Sequence, residues 1–220
     1  MSNDKIKVML VDDHAVVRAG FRMLLASQDY IGEISDIDRG ELACQEYQRF
    51  LPDVVVMDLS MPGIGGLDTI RRLCQHDADV IILVYSIHDE VIYVERALQA
   101  GAKGYVSKNS AAEVLANAVA IVASGEQYIE EGLLPNKDDD LNEADNFKEM
   151  IDALSPREFD IFCLLAKGST VHEISAGLCL SYKTVANYNT TIKNKLNAKT
   201  SADLAHIAMV MGIVKGDHAS

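Results

Sequence analysis

Val54-Val55-Val56-Met57 is apolar at every position, and this run constrains the fold more than any other stretch of the chain. A strand that faces water on one side alternates apolar and polar residues, because successive side chains point to opposite faces. A strand with no polar position needs cover on both faces, the condition of a parallel sheet layered by helices. Similar runs occupy Ile6 to Val11, Val80 to Tyr85 and Gly104 to Ser107, with a weaker one at Ile34 to Ile37. Amphipathic stretches begin between them near Ala15, Glu41, Gly66, Glu90 and Ala111. Val17, Phe21, Leu24 and Leu25 show the spacing of one buried helix face. Five strand-helix repeats predict an α/β fold, a five-stranded doubly wound parallel sheet whose order is similar to that of flavodoxin-like folds.

The residues that can do chemistry follow the strands. Asp12 and Asp13 come directly after the first, Asp58 after the third, Ser86 after the fourth and Lys108 after the fifth. In an open parallel sheet these ends share one edge, where such folds bind their ligands. A single Asp after a strand is ordinarily a solvated loop start, but three carboxylates in one crevice repel each other unless a cation compensates. An all-oxygen cluster of this kind suits Mg²⁺ (or Mn²⁺) together with phosphate oxygens. A carboxylate can then serve as the nucleophile that forms an aspartyl phosphate. Asp58, just before the loop Pro62-Gly63-Ile64-Gly65-Gly66, is the candidate acceptor; Asp12 and Asp13 hold the metal, Lys108 is a fixed cation and Ser86 a hydroxyl donor.

Composition limits the alternatives. Hydrophobic residues make up 49% and charged residues 24% of the chain, proportions that support a buried core and argue against a disordered or fibrous protein. No apolar run approaches the roughly 20 residues of a membrane span and the first seven residues lack a signal-peptide core, so no membrane partner and a cytoplasmic location are expected. Cys44, Cys74, Cys163 and Cys179 have neither disulfide-framework nor zinc-site spacing.

Charge is uneven along the chain. The first 150 residues carry 13 basic and 27 acidic residues, the last 70 carry 7 and 6. Glu126 to Glu149 holds nine acidic residues against Lys137 and Lys148, with Asp138-Asp139-Asp140 in its middle, and reads as a solvated linker that a helix near Glu143 to Ile151 could flank. Four short helices follow. Ser155-Pro156-Arg157-Glu158 and Thr170-Val171-His172-Glu173 are capping boxes, a longer helix is expected from Tyr182 to Leu196, and a last one from Ser201 to Met211. Ser181 to Lys199 contains four lysines and no acidic residue, a local basic stretch in an acidic protein.

Residues 1–125 resemble a response-regulator receiver domain. The resemblance rests on Val11-Asp12-Asp13-His14, Met57-Asp58-Leu59-Ser60-Met61-Pro62-Gly63, Ser86, and Gly101-Ala102-Lys103-Gly104-Tyr105-Val106-Ser107-Lys108. It implies that Asp58 accepts phosphate from a sensor histidine kinase, that Asp13, Asp58 and the Ser60 carbonyl bind Mg²⁺, and that Asp12 assists through water. It further implies that Ser86 and Tyr105 report phosphorylation to the surface. Asn109 follows Lys108 where many receivers carry Pro. Residues 152–214 resemble the LuxR-type helix-turn-helix of NarL/FixJ regulators, leaving 126–151 as linker and 215–220 as a tail. The recognition helix then begins at Lys183-Thr184-Val185. Ala186, Asn187 and Thr190 are the implied base-facing residues, and Lys183, Thr184, Lys193, Lys195 and Lys199 the remaining DNA contacts.

The expected function is a phosphorylation-controlled transcription regulator that dimerises on activation and binds two double-stranded DNA half-sites. No enzymatic activity is expected beyond Mg²⁺-dependent self-phosphorylation and slow self-dephosphorylation at Asp58. One alternative gives the helical domain a protein partner instead of DNA. Another, an aspartate-nucleophile phosphatase of the haloacid dehalogenase type, calls for a second Asp two residues after the nucleophile, where this chain has Ser60. The acidic linker is also expected to lie against the basic stretch and inhibit DNA binding before phosphorylation.

Overall fold

In the structure, a computed structural model, residues 5–134 and 144–214 are described. The chain divides into two compact units with the main break after Leu134. Among the described residues no helix is long and apolar enough to cross a membrane.

The first unit alternates strand and helix in the order β1 (Ile6–Val11), α1 (Ala15–Ala26), β2 (Ile31–Ile37), α2 (Gly40–Phe50), β3 (Val54–Met57), α3 (Gly65–His76), β4 (Ile82–Ser86), α4 (Val91–Ala100), β5 (Gly104–Ser107), α5 (Ala112–Ala123) and β6 (Tyr128–Ile129). The strands form one sheet in the order β2-β1-β3-β4-β5-β6, all neighbours parallel. The first five strands thus take the flavodoxin-like order. Two features differ from expectation. β2 begins three residues earlier than its apolar signal, because Gly32 and Glu33 are exposed positions that carry no hydrophobic period. The sheet also has a sixth strand, within the stretch expected to be acidic linker; β6 pairs Tyr128 with Gly104 and Ile129 with Tyr105.

The pleat sorts the strand side chains between two layers. Val8, Leu10, Val54, Val56, Leu83, Tyr85 and Val106 pack in one cluster with Leu25 of α1 and with Leu115, Val119 and Val122 of α5. The intervening residues Met9, Val55, Met57, Ile82 and Val84 are equally buried. They belong to the opposite face of the sheet because side chains alternate along a strand. No position of β3 is left for water, as its composition required, and each fully buried aliphatic side chain contributes about 1.5–3 kcal/mol.

The second unit holds five helices among the described residues: α6 (Ala144–Asp152), α7 (Pro156–Ala166), α8 (Val171–Gly177), α9 (Tyr182–Lys195) and α10 (Ser201–Val210). Ser155, Thr170 and Thr200 each close a capping box with Glu158, Glu173 and Asp203, satisfying backbone donors that would otherwise be orphaned at the helix starts. Phe159, Phe162, Ile174, Val185, Ile192, Leu204 and Ile207 are buried in this unit. The expected four helices become five because α6 joins them: Ile151 is fully buried, and the Phe147 ring meets His206 edge-on at 6.2 Å. Residues 126–151 are therefore not all linker. Asp138, Asp139 and Asp140, on which the inhibitory contact rested, and the 215–220 tail lie outside the described residues.

Gly66 shows how tightly the loop after β3 is folded. A Cβ there would lie 2.1 Å from the Asp58 carbonyl oxygen and 2.5 Å from Leu59 Cα, both backbone atoms that cannot swing aside. Gly66→Ala is expected to destabilise the protein by about 1–3 kcal/mol in urea unfolding; an unchanged midpoint would show that the loop gives way freely.

Candidate functional site

The sheet delivers its chemistry to one edge through the backbone. The inter-strand ladders continue one residue beyond the strands, with Asp12 N–H donating to the Ile37 carbonyl at 3.1 Å, Asp58 N–H to Val11 at 2.8 Å and Lys108 N–H to Ser86 at 2.7 Å. Asp12, Asp58 and Lys108 are thereby fixed along one edge of the sheet, just past β1, β3 and β5, and their side chains meet. Lys108 Nζ lies 2.6 Å from Asp12 Oδ2 and 2.8 Å from Asp58 Oδ2. Asp58 is 2% exposed and Asp12 6%, so two carboxylates share one ammonium almost out of water.

Burial pushes the Asp58 carboxyl above its ordinary range. The Lys108 ammonium opposes that rise, the negative charge of Asp12 adds to it, and the Ser60 N–H, 3.3 Å from Asp58 Oδ1, opposes it again. The net displacement is upward, because burial outweighs the single shared cation. Asp12, Asp13, His14 and Asp58 each offer an atom within 4.8 Å of the others, enough to surround one metal ion. Asp13 Oδ1 and Asp58 Oδ2 are both hidden from water, the first beside the His14 ring at 3.0 Å and the second beside the Lys108 ammonium at 2.8 Å, with no further hydrogen-bond partner. Buried carboxylate oxygens with acceptor capacity to spare fit a hard divalent cation such as Mg²⁺. The ring of His14, with Nδ1 3.2 Å from Asp12 and 3.0 Å from Asp13, was not among the expected site residues.

The two residues expected to form the switch, Ser86 and Tyr105, meet at His88, which carries no motif of its own. Ser86 is fully buried and its Oγ accepts from the His88 N–H at 3.2 Å. Tyr105 is also fully buried, and its hydroxyl donates to the His88 carbonyl at 2.7 Å. The His88 ring stacks on Tyr93 at 4.0 Å, and its Nε2 lies 2.9 Å from Ser60 Oγ. One loop residue thus links the segment after Asp58, the end of β4, the start of α4 and β5. Its position two residues beyond Ser86 at a strand end is a weak signal, because two of these links run through its backbone.

In the second unit, Lys183, Asn187 and Thr190 are exposed on α9 at spacings of four and three, which puts them on one face. Asn194 extends the same stripe and was missed, having no charge or motif to mark it. Ala186, Thr184 and Lys193 are half-buried. Thr184 Oγ1 lies 2.7 Å from Ser181 Oγ at the helix cap. Lys199 is exposed. Lys195, an expected DNA contact, is exposed, and its ammonium sits 2.7 Å from Glu158 and 3.1 Å from the Ala153 carbonyl. Burial pushes the Glu158 carboxyl up, but Lys195 and the Ser155 N–H and hydroxyl outweigh it and hold it below the ordinary range. Lys195 therefore fastens the start of α7.

Residues 8–120 match the response regulator receiver domain family, and residues 152–208 the luxR family of bacterial regulatory proteins. The response regulator UvrY of Escherichia coli (strain K12) is 37% identical over 215 residues, covering 98% of this chain and 99% of that protein. The transcriptional activator protein ExaE of Pseudomonas putida is 37% identical over 214 residues, covering 94% and 98%. Among solved structures, the RcsB response regulator of Salmonella typhimurium shares the fold with a TM-score of 0.65 at 24% identity, covering 94% of this chain and 98% of that one.

Because the folded state binds the Asp58 proton more tightly than the unfolded state, ionising Asp58 costs stability, and the cost grows as pH rises from the ordinary value of 3.8 through the raised one. Asp58→Asn is expected to raise the urea midpoint of the metal-free protein at pH 7, with the gain fading as pH falls toward 3.8. A lower midpoint at pH 7 would mean that pairing with Lys108 outweighs burial.

Proposed function

The chain belongs to the response-regulator family, joining a receiver domain to a luxR-type regulatory domain, and from that premise we propose that Asp58 is the phosphoacceptor whose esterification controls DNA binding by α9. The observation that carries this reading is the Lys108 ammonium held between Asp12 and Asp58. It is a fixed positive charge at the place where negative charge develops during phosphoryl transfer.

The donor is a phosphohistidine of a sensor kinase. An Asp58 carboxylate oxygen attacks phosphorus, the phosphorus–nitrogen bond breaks, and its electron pair leaves with the imidazole, which takes up a proton. Asp13, Asp58 and the Ser60 carbonyl would hold Mg²⁺, with Asp12 assisting through water, and the bound cation would supply positive charge to offset that of the phosphoryl group. Lys108 keeps its place at the acceptor carboxylate and binds a phosphoryl oxygen once the ester forms. The Ser86 hydroxyl turns to that phosphoryl group, and the change passes through His88 to Tyr105 and the start of α4. The altered surface favours a homodimer, which presents two copies of α9 to two operator half-sites. Binding to chromosomal DNA places the protein in the cytoplasm.

On α9, Asn187 and Thr190 face the bases together with Asn194, and Ala186 contributes its methyl group at the edge of that face. Lys183, Lys193 and Lys199 neutralise phosphates, and Thr184 secures the start of the helix.

Incubation with Mg²⁺ and a small phosphodonor, followed by mass spectrometry of the labile ester, is expected to place one phosphoryl group on Asp58. Label elsewhere, or labelling independent of a divalent cation, would overturn the assignment. In gel-shift assays on genomic fragments the phosphorylated protein should select particular sequences. Weak, sequence-indifferent retention would assign the helical unit to a protein partner instead. Lys183→Ala and Lys199→Ala should each flatten the dependence of log affinity on log salt by about 0.9. Lys195→Ala should instead lower thermal stability by freeing the partly buried Glu158 carboxylate.

A further inference from the structure

Lys108 is presented by the four-residue segment Ser107 to Ser110, which starts on the last residue of β5 and turns away from it, without the stiffening that a proline after the lysine brings; Asn109 stands there, and its peptide bond is trans. The loop is pinned by its neighbours instead. Asn109 donates its N–H to Ser107 Oγ at 3.0 Å and its side-chain amide to Asp89 Oδ2 at 2.9 Å. The strongest hold comes from Glu130, at the end of β6. Glu130 Oε2 accepts from the Ser107 N–H at 2.8 Å, and Oε1 accepts from the Ser110 hydroxyl. One carboxylate thus grips both ends of the loop, with Lys108 between them. Glu130 is itself anchored, since its N–H donates to the Tyr105 carbonyl at 3.0 Å and the two preceding residues pair with β5.

Ser107 is 4% exposed, so without Glu130 its N–H would be left buried with no acceptor, a cost the loop relieves by shifting. A shift there moves the adjacent Lys108, whose 2.6 and 2.8 Å contacts to Asp12 and Asp58 tolerate little displacement. We propose that Glu130 is a positioning residue for phosphoryl transfer: its carboxylate clamps the Ser107–Ser110 loop and thereby sets Lys108 against Asp58. This proposal rests on the phosphoacceptor reading above. It gives β6 a purpose beyond capping the sheet edge, because that strand is the last element described before the segment leading to the second unit.

The full-length protein is tested with Mg²⁺ and acetyl phosphate over a range of donor concentrations, the ester being followed by intact mass. If the wild type acquires no ester at Asp58, the phosphoacceptor reading fails and the role of Glu130 fails with it. With the wild type labelled, Glu130→Ala should slow the maximal rate about tenfold and leave the half-saturating donor concentration within about twofold, because Glu130 acts through Lys108 and not on the donor. Glu130→Gln should recover most of the rate, since its amide oxygen can accept from Ser107 while its NH₂ donates to the Ser110 hydroxyl. In a Lys108→Met background Glu130→Ala should cause no further loss, which separates positioning of Lys108 from general destabilisation. A wild-type rate for Glu130→Ala, or an equal proportional loss without Lys108, overturns the proposal. Should Glu130→Ala fail to fold, Ser110→Ala removes one of the two grips, and about a threefold slowing is then expected against an unchanged rate.

Discussion

The Lys108 ammonium sits between two buried carboxylates, and the site depends on that shared ion pair. Asp12 and Asp58 are held within reach of one cation by ladders that run on past the ends of β1, β3 and β5, so the backbone positions the charges before any side chain is chosen. Both carboxylates lie almost out of water beside Lys108, and a desolvated charge is tolerated only when paired. One cation for two anions still leaves the cluster short of positive charge. That shortage suits the cluster to a divalent cation, and under the phosphoacceptor reading it makes the added negative charge of a phosphoryl group on Asp58 a large electrical event. The apolar layers serve this end: fully covered β-strands exclude water from the crevice floor, where low polarity strengthens each ionic contact.

Signal output follows from what surrounds that pair. Ser86 and Tyr105 are fully buried and both are bonded to His88, so under the phosphoacceptor reading a change at Asp58 has a route to α4 through one loop residue. Ser60 ties the same histidine to the segment after Asp58. The second unit works by the opposite logic. Its helices are stapled at their starts by capping boxes, and Lys195 is used to brace one of them, which leaves α9 a rigid presenter of a short polar stripe.

Much of this was legible in the sequence, and the parts that were not share a cause. The strands β1, β3 and β5 show themselves as uninterrupted apolar runs, and the parallel arrangement those runs require brings Asp12, Asp13, Asp58, Ser86 and Lys108 to one edge. The capping boxes mark the starts of α7 and α8 to the residue. By contrast, β6 is two residues long inside an acidic stretch, too short to show any period. Glu130 acts through a hydrogen bond to the distant Ser107 backbone, and His88 through its own N–H and carbonyl, links that leave no spacing to detect. The Lys195–Glu158 pair spans 37 residues of chain, so only folding reveals it.

The central claim is that Lys108 holds the buried Asp58 carboxyl down against burial and the charge of Asp12. The most direct test is a ¹³C-carboxyl NMR titration of Asp58 in the metal-free protein, with and without Lys108→Met. The account predicts that Asp58 titrates above its ordinary 3.8 in the wild type and higher still once Lys108 is gone. A titration that does not move when Lys108 is removed would contradict it.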